Sequence, residues 1–97
     1  MELKKFLLPL ILTATFYSDF FHGQLMANGK IFNQNNLTAA SSIFPLGTKL
    51  IVKNGKKSVK VTVTDRCNCE LDLSKKAFKQ LASLENGIIK VKIEKAF

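Results

Sequence analysis

The 97-residue chain contains no tryptophan, one tyrosine, one histidine and two cysteines. It has no internal repeat and no low-complexity linker, so its length points to one domain. One histidine and two cysteines are a poor basis for zinc, which usually takes about four ligands, and no metal site is expected. The N-terminal apolar run falls short of the ~20 residues that a membrane-spanning helix needs. No cysteine follows that run, which argues against a lipid anchor. Acidic residues are scarce too. Seven Asp and Glu stand against fifteen Lys and Arg, for a formal net charge of +8. Such an excess draws a protein to anionic surfaces.

Hydrophobic residues make up 46% of the chain and include eight phenylalanines, enough for a small core. A domain of this size buries only about 60–65% of its unfolded surface, so its stability is modest. The basic start "MELKK", followed by the compact run "FLLPLILTA", has the shape of a secretory signal peptide. The expected division is a leader over residues 1–13 and a domain over residues 14–97; a buried N-terminal strand or helix is the structural alternative. A leader places the chain in the periplasm or outside the cell. The polyanions there are wall glycans, teichoic acids, lipopolysaccharide and acidic polysaccharides rather than nucleic acid. The plain reading of the charge is solubility, because most lysines alternate with apolar residues.

That alternation marks short strands. "TATFYS" is rich in β-formers. Asn28–Gly29 signals a tight turn. "FPLGTKLIVK", "NGKK" and "SVKVTVTD" read as strand, turn, strand. In the last of these, Val59, Val61 and Val63 face one way and Ser58, Lys60 and Thr62 the other, as in a half-buried strand. "IIKVKIEKAF" repeats the pattern, with Ile89, Val91 and Ile93 inward and Lys90 and Lys92 outward. "DLSKKAFKQLASLENG" is the one good helix. Ser74 is its N-cap, Ala77, Phe78, Leu81 and Leu84 form its apolar stripe, and Gly87 stops it. Short strands, tight turns and one helix indicate a small closed barrel, mainly β.

The stretch "VTDRCNCELDLS", residues 63–74, concentrates two aspartates, a glutamate, an arginine and both cysteines. Asp65 reads structurally as a strand-end turn former, and Asp72 as a carboxylate favoured by a helix dipole. Two cysteines in an exported chain suggest oxidation. A bond between residues two apart is possible, if strained. Free thiols, a bond to a partner and half of a metal site stay open beside it.

Taken in order, "ATFYSDFFHGQLMANGKIFNQNNLTAASSIFPLGTKLIVKN", "VKVTVTDR", "LDLSKKAF" and "GIIKVKIE" resemble the rare lipoprotein A-like (RlpA-like) domain. These domains are double-psi β-barrels related to expansins and barwin-type domains. The resemblance runs through residues 14–97, and "ANG", "LTAAS", "PLGT", "DR" and "DLS" are specific in combination. It implies a small six-stranded double-psi barrel with one or two short helices. Enzymes of this family are lytic transglycosylases that cleave peptidoglycan strands to 1,6-anhydro ends. Expansins bind and loosen wall polysaccharide without measurable hydrolysis.

By position, Asp65 and Asp72 match the family's catalytic aspartates, with Asp72 as the acid. His22, Asn28, Lys30, Ser41 and Arg66 fall where substrate would bind. His22, in "FHGQ", has a second reading as a hydrogen-bonded structural histidine. The implied partner is peptidoglycan or another cell-wall glycan, bound by a monomer with no cofactor, no nucleic acid and no stable membrane insertion after processing. The chain departs from the enzymes at three polar positions. Lys30 replaces a glutamate, Asn33 an aspartate and Ser41 a histidine. Acid–base groups are typically worth about 10²–10⁴ in rate. The alternative is therefore a non-catalytic, expansin-like wall-binding module.

Overall fold

The computed structural model describes residues 10–95. Six strands carry the fold: β1 (Leu10–Phe16), β2 (Thr38–Ala40), β3 (Lys49–Asn54), β4 (Lys57–Asp65), β5 (Leu71–Leu73) and β6 (Ile89–Lys95). They close into a barrel in the order β1-β5-β2-β4-β3-β6. Two pairs are parallel, β1 with β5 and β2 with β4; the rest are antiparallel. Closure leaves no long sheet edge open to another chain.

The alternating strands behave as their pattern requires. Val59, Val61 and Val63 are buried, as are Val91 and Ile93, and Ile89 packs against the same core. Lys60, Lys90 and Lys92 are exposed. Each fully buried Val or Leu contributes about 1.5–3 kcal/mol of transfer free energy. The β3–β4 hairpin turns through Gly55 and Lys56, with Asn54 paired to Lys57. Gly55 has φ +62°, the left-handed conformation required at the first position of a two-residue type II′ turn.

The helix is shorter than its apolar stripe suggests. Asp72 and Leu73 belong to β5, and α1 spans only Lys75–Lys79. Ser74 is its N-cap, accepting from the Ala77 amide at 3.3 Å. A second serine cap explains the early stop. Ser83 accepts from the Glu85 amide at 3.2 Å and opens a separate 3₁₀ turn over Leu84–Asn86. Phe78 and Leu81 still close the core at this end of the barrel.

Most of the expected leader, residues 1–9, lies outside the described residues. Residues 10–13, the end of that stretch, form the first half of β1. Leu12 is buried, paired with Val91, and Leu10 is paired with Ile93. The Thr13 amide donates to Glu70 Oε1 at 2.7 Å. A boundary after residue 13 would cut this strand in two. Leu12→Ala should lower the free energy of unfolding by about 2–4 kcal/mol. A chain starting at Ala14 should melt below one starting at Leu10. Equal melting temperatures in thermal unfolding would show that Leu10–Thr13 is dispensable to the barrel.

Candidate active site

One lateral row crosses four adjacent strands. Thr15 of β1 pairs with Asp72 of β5, Asp72 with Ala40 of β2, and Ala40 with Asp65 of β4. Partners in register present their side chains to the same side of a sheet. This side is the outer wall of the barrel, since Ala14, Ala39, Leu71 and Leu73 fill the interior. Two strand spacings separate the aspartates, about 9–10 Å between Cα atoms.

Asp65 reaches this row because of an irregularity. Ala39 pairs with Val63, but Ala40 pairs with Asp65, so Thr64 is an extra residue in the β4 ladder. Continued alternation after Val59, Val61 and Val63 would turn Asp65 into the core. The bulge re-aims it to the outer face. The "ANG" segment docks on the bulge. Asn28 N donates to Thr64 O at 3.2 Å, and Ala27 N donates to Asp65 Oδ1 at 2.8 Å. Met26 and Tyr17 complete the cover, with Tyr17 stacked on Phe32 at 4.1 Å between ring centroids. Tyr17, Met26, Phe32 and Ala40 form a small second core outside the barrel wall, and Cys67 packs against it.

The two carboxyls differ in their partners. Asp65 accepts from Tyr17 OH at 2.7 Å on Oδ2, and from the Ala27 and Arg66 amides on Oδ1 at 2.8 and 2.9 Å. It is an acceptor on both oxygens. Asp72 accepts from the Thr15 hydroxyl at 3.0 Å on Oδ1. Burial raises its pKa above the ordinary carboxylate value, the Thr15 bond opposes the rise, and the negative charge of Asp65 adds to it. Burial also pushes the Tyr17 phenol up, reinforced by its bond to Asp65 and by the charges of Asp65 and Asp72. Tyr17 is thus a neutral donor across the accessible pH range. A half-buried acid beside a fixed carboxylate can give up a proton and take one back.

The remaining expected positions divide. His22 is exposed, and its Nδ1 accepts from the Gln34 amide at 3.1 Å. Ser41 is fully buried. Its hydroxyl donates to Glu70 O at 2.6 Å and accepts from Ile43 N at 3.0 Å, so it braces a loop and offers a sugar no surface. Asn28 and Lys30 are exposed, and Asn28 Oδ1 accepts from Lys30 N at 2.9 Å. Arg66 is exposed and donates from Nη2 to Phe44 O at 2.5 Å. Cys67 and Cys69 are joined by a disulfide across 5.2 Å between Cα atoms, in the loop from β4 to β5.

Three residues absent from the expected set matter here. Thr15 and Tyr17 hold the aspartates. Thr15 lies on the outward parity of β1, opposite Leu12 and Ala14, and Tyr17 continues that parity one residue past the strand, which is the signal that points to them. Gln34 is buried, donating to Tyr17 O at 2.8 Å and accepting from Lys75 N at 2.8 Å. No periodicity marks it.

Fold and site define a double-psi β-barrel whose outer wall carries an acidic pair. A family model described as "Lytic transglycolase" matches residues 11–93. The chain belongs to this RlpA-like family. It is 48% identical over 83 residues to an uncharacterised protein of Synechocystis sp., covering 84% of this chain and 92% of that one. It is 45% identical over 82 residues to the endolytic peptidoglycan transglycosylase RlpA of Rickettsia bellii, covering 78% of this chain and 36% of that protein. The chain thus spans about a third of that longer relative. Among solved structures, a Clavibacter michiganensis expansin superimposes with a TM-score of 0.75 at 28% identity, over 93% of this chain and 51% of that one. A variant of that expansin is known in complex with cellohexaose. A Streptomyces papain inhibitor shares the fold, with a TM-score of 0.72 at 24% identity, over 89% of this chain and 94% of that one.

The raised pKa of Asp72 has a stability consequence. Between the ordinary value of 3.8 and the raised native value, the folded protein holds a proton that the unfolded chain has released. Stability linked to this group is therefore full at low pH and is lost as pH rises through the native pKa. Asp72→Asn keeps an acceptor for Thr15 and removes the titration. The difference in unfolding free energy, variant minus wild type, should grow from pH 4 toward pH 7. Denaturant unfolding over this range checks it; a difference that shrinks as pH rises would reverse the assignment.

Proposed function

We propose that this protein is an exported cell-wall protein that cleaves peptidoglycan glycan strands as a lytic transglycosylase. The observation that carries the reading is the row Thr15–Asp72–Ala40–Asp65, in which a half-buried acid of raised pKa faces a second carboxylate. Asp72 protonates the glycosidic oxygen as the C1–O bond breaks. The C6 hydroxyl of the same sugar attacks C1 and returns its proton to Asp72, closing the 1,6-anhydro ring with no net proton change. Asp65 opposes the positive charge that develops at C1, an electrostatic role that needs no proton. Tyr17 holds Asp65, and Thr15 holds Asp72. The exposed Asn28, Lys30 and Arg66 rim the site and contact the sugar. For export, the basic start and apolar run of residues 1–13 supply the leader.

A second reading is a non-catalytic, expansin-like wall-binding module. It is favoured by Lys30, Asn33 and Ser41, which leave two aspartates as the acid–base groups of the site. Peptide-free glycan strands separate the two readings, with anhydro ends counted by mass. Wild type should produce them, and Asp72→Asn should lose at least about 10²-fold in rate. Tyr17→Phe should lose less, because Asp65 keeps two amide donors. Binding without products in wild type would establish the module reading. Equal cleavage by wild type and Asp72→Asn would place the acid elsewhere.

A further inference from the structure

The circumference of the barrel is divided by charge. The carboxylate row occupies β1, β5, β2 and the end of β4. On the other side lie β3 and β6, bounded by β4 and β1. The outward positions of β3, β4 and β6 are Lys49, Ile51 and Lys53; Ser58, Lys60 and Thr62; and Lys90, Lys92 and Glu94. Five of these nine are lysines and one is acidic.

This segregation costs stability. Lys53 and Lys92 are direct cross-strand partners. Like charges so placed repel at about 4.5–5.5 Å between Cβ atoms. Glu94 relieves Lys53, with an ion pair at 2.9 Å. Lys90 donates to the Thr13 hydroxyl at 2.8 Å and Lys49 to the Thr62 hydroxyl at 3.3 Å, and neither has an ion-pair partner among the described residues, although Glu70 accepts from the Thr13 amide beside Lys90. Among the described residues, Lys60 and Lys92 have no side-chain hydrogen-bond or ion-pair partner. A surface shaped for solubility alone mixes the two signs. A single-sign field on a flat wall concentrates and steers a ligand of opposite sign.

We infer that the outer face of β3, β4 and β6 is a second binding surface, for a linear polyanion, on the side of the barrel opposite the carboxylate row. A soluble polymer fits better than a lipid bilayer, because the nine positions carry no aromatic side chain to seat at a membrane interface. Lysine ammoniums act as point charges, so the face accepts phosphate and carboxylate chains alike. Its placement lets the protein be held on an anionic polymer while the carboxylate row stays open. The inference does not depend on the proposed glycan cleavage.

The test is fluorescence anisotropy with labelled inorganic polyphosphate and with labelled polyglutamate, over a salt series. Wild type should bind, with the logarithm of the association constant falling linearly against the logarithm of salt concentration. Lys60→Gln with Lys92→Gln should weaken binding roughly tenfold or more and reduce the slope by about one per lysine. Lys76→Gln with Lys79→Gln, on α1, makes the same change in net charge and should leave binding nearly unaltered. Asp72→Asn should bind as wild type does. Equal weakening by both double variants would reduce the effect to net charge and overturn the surface. So would failure to bind either polymer, or capture by anionic phospholipid vesicles without binding of either polymer.

Discussion

The extra residue at Thr64 is the constraint on which the candidate site depends. β4 arrives carrying Val59, Val61 and Val63 on its inner side. Without a bulge, the next residue of that parity is Asp65, and its carboxylate would enter an apolar core with no cation to meet it. The penalty for such a burial is several kcal/mol on the order of the desolvation of one ion. One residue inserted against β2 moves Asp65 to the outer wall and leaves the valine register untouched. The cost is a ladder interrupted at Thr64. The "ANG" turn repairs it, since the carbonyl freed there receives the Asn28 amide.

The repair also builds the site. The turn that satisfies the bulge brings the Ala27 amide to Asp65. Gly29, with φ +86°, lets the chain reverse after Asn28 in a conformation that side chains with a Cβ rarely adopt. Behind the turn, Met26, Phe32 and Tyr17 cover Ala40 and exclude water from one side of the row. That exclusion raises the pKa of Asp72 while the donors on Asp65 keep it an acceptor. The same packing therefore gives two chemically equivalent side chains different electrostatic settings. The Cys67–Cys69 bridge adds a wall to this second core, because Cys67 packs against it.

The strands of the barrel were legible because period-two burial is a local signal, clear in Val59–Val63 and Ile89–Ile93. The Ser74 cap was legible for the same reason. The aspartate pair was legible only through the order of motifs along the chain. Three stretches show the same physical limit, which is that local patterns are blind to tertiary partners. "FLLPLILTA" has the composition of a leader and of a barrel strand alike, and its residues 10–13 pair with β6. The helical stripe from Ala77 to Leu84 is continuous in sequence, but the Ser83 cap divides it. Ser41 sits where a groove residue was expected, yet the backbone of Glu70 and Ile43 takes its hydroxyl. Gln34 was beyond reach because its partners are set only when the loops close over the barrel, whereas the Cys67–Cys69 bond stood among the readings the sequence left open.

Two different demands meet in one small barrel, and its closed order separates them. A proton donor needs low dielectric and a nearby negative charge, which the covered side supplies through Tyr17, Phe32 and Asp65. A basic face needs water and spacing, which the bare side supplies through β3 and β6. In an open sheet with this strand order β3 would lie three strands and β6 four strands from Asp72; closure brings β6 to two strands from β5, by way of β1, so what parts the two surfaces is direction and not distance along the wall. Closure turns the wall through a full circle and puts the low-dielectric core between the two sets of charge. The lysines then face away from Asp72, and among the described residues the charge that shifts it is that of Asp65. The barrel is thus more than a scaffold for the row. Its curvature turns the basic and the acidic surfaces in different directions.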